Sequence, residues 1–147
     1  MMNNDWVGDI EEMHDKYHVM QWVNKQLAQG DFDSIEEFMK FLMKFLDEEH
    51  AETKKAVENK DAEEVVDGLI DLCVVAIGTL DAFGIDARAA WNEVFRANME
   101  KEIGVKESRP NPLGLPDLVK PDGWNAPSHK SNHGLLRRMW DVRSDNI

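Results

Sequence analysis

The sequence predicts an all-α protein: an antiparallel bundle of four main helices, completed by oligomerisation, with a Pro/Gly-rich C-terminal flap. Three observations carry this expectation. Apolar residues recur in steps of three and four from Val7 onward. No stretch shows the alternation or hairpin turn of a strand, and there are no tandem repeats. From Gly104 the texture changes, because Pro110, Pro112, Pro116, Pro121 and Pro127 with interspersed glycines exclude a long helix. A chain of 147 residues with 42% hydrophobic content is long enough for one real core. One domain is expected over 1–147, with a helical core at about 7–103 and a flap and tail at 104–147.

The first helix is read from about Val7 to Gln29, through Ile10, Met13, Tyr17, Met20, Val23 and Leu27, ending at Gly30. His14 and His18 are four apart but lack a third ligand nearby in sequence, so they read as exposed or packing histidines. Ser34 with Glu37 three residues on is expected to cap the second helix. Its stripe of Phe38, Phe41, Leu42 and Phe45 reads primarily as core, with the lining of a base pocket a secondary role for the aromatics, and Lys54 and Lys55 place positive charge at its end. Asp61 with Glu64 caps a third helix, from near Ala62 to about Phe83. On it Leu69, Cys73, Ala76 and Leu80 share one side, and Glu64, Asp67, Asp71, Val74 and Gly78 share the opposite side. Such a helix is expected to be buried on two faces, at the centre of a bundle or at a subunit interface, with Gly68 and Gly78 allowing close approach of a neighbour. Asp86 caps a fourth helix carrying Trp91, Val94, Phe95 and Asn98, and Leu135 to Val142 adds a short last one. Leu113, Leu115, Leu118, Val119 and Trp124 give the flap its apolar anchors.

The acids are where chemistry is expected. Glu48, Glu49 and Glu52 continue the stripe of Phe45 at +3, +4 and +7, so they share the face of the apolar residues. Glu64, Asp67 and Asp71 lie at i, i+3 and i+7 and share a face of the next helix. Bringing those faces together costs free energy unless a cation neutralises them, which points to a divalent-metal site. The formal net charge of −12 argues against a nucleic-acid backbone as partner. A free nucleotide is different, since a bound metal bridges its phosphates to an acidic protein. Cys73 is the only cysteine and sits in an apolar run, so it reads as a buried thiol. No apolar run approaches the roughly 20 residues needed to cross a bilayer, so no membrane partner and a cytoplasmic location are expected.

Glu48-Glu49-His50-Ala51-Glu52 matches the Glu-Glu-x-x-Glu motif of the all-α nucleoside triphosphate pyrophosphohydrolases, the group of MazG-like proteins, dimeric dUTPases and phosphoribosyl-ATP pyrophosphohydrolases, which this chain resembles. The family's following Glu-x-x-Asp is read either as Glu64-Val65-Val66-Asp67 or in the register Asp67-Gly68-Leu69-Ile70-Asp71-Leu72. In the second register Gly68 stands at the family's glutamate position, and both Asp67 and Asp71 are carried. Gly84-Ile85-Asp86, Asn98-Met99-Glu100-Lys101 and Lys120-Pro121-Asp122-Gly123-Trp124-Asn125-Ala126-Pro127 are similar to the segments that close over the nucleotide in MazG-like members. The resemblance covers roughly Asp9 to Pro127. It implies magnesium-dependent hydrolysis of a nucleoside triphosphate to the monophosphate and pyrophosphate, in a nucleotide-pool housekeeping role, with manganese as a possible substitute. The implied metal ligands are Glu49, Glu52, Glu64, Asp67 and Asp71, and Glu48 orients water or supports the ligands. Lys54, Lys101 and Lys120 are the cations available for the outer phosphates, and Asn98 and Trp124 the candidates for base or sugar. A homodimer or dimer of dimers is the expected assembly.

Two other architectures share parts of this pattern. A ferritin-like di-iron bundle needs Glu-x-x-His on two helices, and the nearest match is Asp47-x-x-His50. A non-catalytic acidic helical dimer that binds a protein partner would leave Glu49, Glu52 and Asp71 solvated and replaceable.

Overall fold

Asp5 starts the first helix, its carboxylate accepting from the Gly8 N–H at 2.7 Å. The computed structural model describes residues 5–106 and 113–144. Pro110 and Pro112 lie outside the described residues. Contacts divide the chain into two compact units, one of residues 1–87 with 133–147 and one of residues 88–132.

The first unit holds α1 (Trp6–Lys16), α2 (Val19–Ala28), α3 (Phe32–Glu58), α4 (Ala62–Ala82) and the C-terminal α6 (Leu135–Ser144). The single helix expected over Val7 to Gln29 is instead broken: His18 adopts φ 62°, a left-handed conformation, between α1 and α2. The apolar periodicity runs through this break undisturbed, so nothing local marks it. Tertiary packing decides it, since α1 lies against α4 while α2 meets both α3 and α4. The cap of α3 is also one turn earlier than Ser34. Asp31 accepts from the Ser34 N–H at 3.1 Å and from its hydroxyl at 2.7 Å. These hydrogen bonds hold the Asp31 carboxyl below its ordinary range. Asp61 caps α4 as expected, accepting from the Glu64 N–H at 3.2 Å.

Only three residues join α3 to α4, so the two helices form an antiparallel hairpin. Its turn is closed by the Asp61 N–H on the Ala56 carbonyl at 2.9 Å, with Lys60 at φ 56°. The core gathers Val23, Ile35, Ala82, Phe83 and Met139, with Phe38, Leu42, Leu135 and Leu136 packed around it. Met139 of α6 is fully buried, which makes the C-terminal helix part of the core and not a tail. Entry to α6 depends on Gly134, at φ +54°, where any Cβ would collide with the Phe83 carbonyl oxygen. The Leu135 N–H donates to that same oxygen at 2.8 Å.

Two expectations about apolar faces need correcting for the single chain. Phe38 packs on the core, but Phe41 is 64% exposed and Phe45 37%. On α4 the buried face is Gly68, Val75, Gly78, Thr79 and Ala82. The opposite face is open in the first half of α4, with Val66 65%, Leu69 52% and Ile70 46% exposed, while Cys73 and Leu80 further along it are half-buried.

In the second unit, α5 (Ala87–Met99) begins directly after Asp86 and is followed by β1 (Glu102–Gly104) and β2 (Asp117–Val119). The strands pair antiparallel, Ile103 opposite Leu118, where no strand was expected. Three residues each are too few to show alternation, and the pairing arises only when the chain doubles back. Trp124 anchors the segment after β2, its indole N–H donating to the Ala97 carbonyl at 2.7 Å.

Candidate active site

The acids sit on the α3–α4 hairpin, and one close contact sets their spacing. Thr53 of α3 and Gly68 of α4 are both buried, and a Cβ at Gly68 would overlap the Thr53 hydroxyl. Gly68 therefore lets α4 approach α3 where Thr53 projects. The Thr53 hydroxyl turns back to donate to the Glu49 carbonyl at 2.8 Å. In an antiparallel hairpin with Thr53 opposite Gly68, Glu49, a turn back along α3, comes beside Asp71, a turn on along α4.

The electrostatics agree with that placement. Glu49 is half-buried, and its carboxyl is raised above the ordinary 4.5 first by desolvation and then by the charges of Asp71, Glu52, Asp67 and Glu48. Two of those four charges come from the other helix. Among the described residues no lysine or arginine is ion-paired to Glu48, Glu49, Glu52, Asp67 or Asp71. Their mutual repulsion is thus uncompensated within the hairpin. Asp71 is half-buried like Glu49, while Glu48, Glu52 and Asp67 are exposed. Among the described residues no three His, Cys, Asp or Glu side chains close on one point at metal-ligand distance. What exists is an all-oxygen, negatively charged surface, the donor type that magnesium prefers.

Glu64 stands apart from this group. It lies exposed in the first turn of α4, and its charge is not among those acting on Glu49. Lys54 is exposed on α3, next to Thr53.

The remaining candidates lie in the second unit, and three of them meet there. The ammonium groups of Lys101 and Lys120 sit 5.3 and 5.1 Å from the centre of the Trp124 ring. Cations over an indole face are held by its quadrupole. Asn98 is exposed at the end of α5, its carbonyl accepting from the Lys101 N–H at 3.2 Å. Arg96 stiffens that end of the helix, bonding Glu93 at 3.0 Å and Glu100 at 2.8 Å, and both acids raise the guanidinium above its ordinary value.

A family model described as phosphoribosyl-ATP pyrophosphohydrolase matches residues 19–98, more than half of the chain and the whole of the α3–α4 hairpin. The chain belongs to the phosphoribosyl-ATP pyrophosphohydrolase family. It falls in the MazG-like all-α superfamily, as the Glu48 to Glu52 motif implied. It is accordingly a pyrophosphohydrolase, a hydrolase of acid anhydrides acting on a nucleotide. None of the curated proteins is a significant match to it.

Two contacts of this pyrophosphohydrolase escaped sequence reasoning. Thr53 carries no signal of its own, because a threonine mid-helix is ordinary; the signal was Gly68, a helix-weakening residue kept between two acids. His14 is the other. Its Nδ1 donates to the Asp81 carboxylate at 2.5 Å and its ring lies over Gly78, so α1 is fixed to α4 through a glycine on the same side as the acids. No helix of the pyrophosphohydrolase is long and apolar enough by itself to cross a membrane, among the described residues.

Proposed function

We propose that this pyrophosphohydrolase cleaves a nucleoside triphosphate between its α and β phosphates, releasing the monophosphate and pyrophosphate, with magnesium held by Glu49, Glu52, Asp67 and Asp71. The observation that carries the reading is the half-buried Glu49 carboxyl, raised first by desolvation and then by the charges of acids from both helices of the hairpin. Carboxylates without cationic partners, facing one another at a half-buried position, are in an arrangement that costs stability unless something positive is added. The oxygen-only donor set fits magnesium, with manganese able to replace it. When bound, the ion neutralises charge on the phosphate oxygens.

The chain's own residues do the rest. Glu49 and Asp71, the half-buried pair, fix the position of the centre; Glu52 and Asp67 extend it toward solvent. Glu48 orients the attacking water by accepting its hydrogen bond. Lys54 offers positive charge on the same helix. Lys101 and Lys120, held about Trp124, are assigned to phosphate oxygens, and Asn98 and Trp124 to sugar or base. The open face of Val66, Leu69 and Ile70 on α4 is assigned to self-association, as a homodimer or a dimer of dimers.

The test is a screen of nucleoside triphosphates and phosphoribosyl-ATP with magnesium or manganese, assaying pyrophosphate against orthophosphate. Pyrophosphate release that Glu49→Ala and Asp71→Ala each abolish, at unchanged helical content by circular dichroism, supports the reading. Orthophosphate alone, or wild-type turnover in those variants, overturns it.

A further inference from the structure

The two sides of α5 differ in character. On one side Ala97 is buried, its carbonyl accepts from the Trp124 indole, and Arg96 donates to the Ala126 carbonyl at 3.4 Å. That side is covered by the chain's own segment after β2. On the other side Trp91, Phe95 and Met99 follow in steps of four, so they stand in one row along the helix. In the whole chain Trp91 is 71% exposed, Phe95 56% and Met99 69%. Val94 and Asn98 lie to one side of that row. Exposed Arg88 continues the row at the amino-terminal end, and exposed Glu102 follows the last turn at the carboxy-terminal end.

Two aromatic rings and a thioether form an apolar seam about 12 Å long, and keeping it in water forfeits the free energy that burial would release. A seam with this spacing is the surface along which a second helix packs. The ends of the row select that helix. An antiparallel copy of α5, turned about an axis at Phe95, sets Phe95 against Phe95 and Trp91 against Met99 at both ends. Ring–ring and thioether–ring contacts of this kind are favourable. The same turn brings Arg88 of each copy toward Glu102 of the other, so opposite charges meet at both ends of the seam. A parallel copy would instead set Arg88 against Arg88. The three side chains from each copy, with Val94 beside them, cover on the order of 1,000 Å², the size that a specific interface needs.

We propose that α5 pairs with α5 of a second copy of this chain, antiparallel, with the two-fold axis at Phe95. The contact is separate from the α4 face of Val66, Leu69 and Ile70, and it does not depend on the proposed reaction. Two different self-complementary faces on one chain close into a dimer of dimers, whereas the α5 face alone gives a dimer.

The experiment is sedimentation equilibrium of the full-length chain. Phe95→Asp is expected to halve the particle mass at unchanged helical content, whether the unmodified chain is a dimer or a dimer of dimers. Because Phe95 is largely exposed, its replacement leaves the core intact. Phe95→Ala is expected to weaken association by about thirtyfold, the loss of one central aromatic from an interface. The geometry is read by crosslinking in a Cys73→Ala chain. There Phe95→Cys sets one thiol from each copy at the axis, and mild oxidation is expected to join two chains. Glu93→Cys, on the far side of α5, is expected not to join them. A monomeric unmodified chain, a mass that Phe95→Asp leaves unchanged, or equal crosslinking of the two cysteine variants overturns the proposal. The α4 assignment fails separately: a mass that Leu69→Asp leaves unchanged and Phe95→Asp halves removes the α4 interface and keeps the α5 pair.

Discussion

Replacing Gly68 by alanine tests the contact on which the acid spacing depends. In an isolated helix the change stabilises by about 1 kcal/mol, because glycine is a poor helix former. Here the new Cβ would overlap the Thr53 hydroxyl and approach the Thr53 Cβ at 3.2 Å. Overpacking of that kind costs about 1–3 kcal/mol. If Thr53 turns away to relieve it, the hydrogen bond to the Glu49 carbonyl is lost, at a further cost of about 1 kcal/mol. The net expectation is destabilisation of about 1–3 kcal/mol, read from urea denaturation midpoints. Thr53→Ala in the same chain removes the overlapping oxygen, so the double variant should recover most of the loss, with a coupling of about 1–3 kcal/mol. If α4 is pushed outward, Asp67 and Asp71 move from Glu49, and its carboxyl titrates closer to 4.5, the ordinary value, by NMR. Gly68→Ala that stabilises the protein and shows no coupling to Thr53 would refute the reasoning.

Other outcomes follow from the same geometry. Glu49 binds its proton more tightly folded than unfolded, so its contribution to stability is greatest below the ordinary carboxylate value and is lost as pH rises from there through the raised folded value. Thermal melts of the metal-free protein across that window should show the decline, Glu49→Gln should flatten it, and magnesium should oppose it by competing with the proton. Met139→Ala empties a fully buried site in the core and should cost about 2–5 kcal/mol, seen as a lower denaturation midpoint. Asp81→Asn keeps the size of the partner but weakens its hold on His14, so hydrogen exchange in α1 should accelerate while the α3–α4 hairpin stays protected.

Much of the hairpin was legible because its determinants are local. Asp61 capping α4, the acids of α3 on one face, and Gly68 and Gly78 as points of close approach all follow from side-chain chemistry and a period of 3.6 residues. The Glu48 to Glu52 motif likewise points to the superfamily from five consecutive residues. The errors fell where local rules tie. Ser34 and Asp31 both suit a helix cap, and the carboxylate one turn earlier prevailed by taking two hydrogen bonds from Ser34.

What the sequence determined by itself is the helical character of the chain, the faces its acids occupy and the family it belongs to, since each depends on residues close together along the chain. The tertiary structure alone decided the break at His18, the burial of Met139 from the far C-terminus, the strand pair between Glu102 and Val119, and which acids act on Glu49. Those depend on residues distant in sequence becoming neighbours, and one-dimensional periodicity carries no information about which neighbour a face will meet.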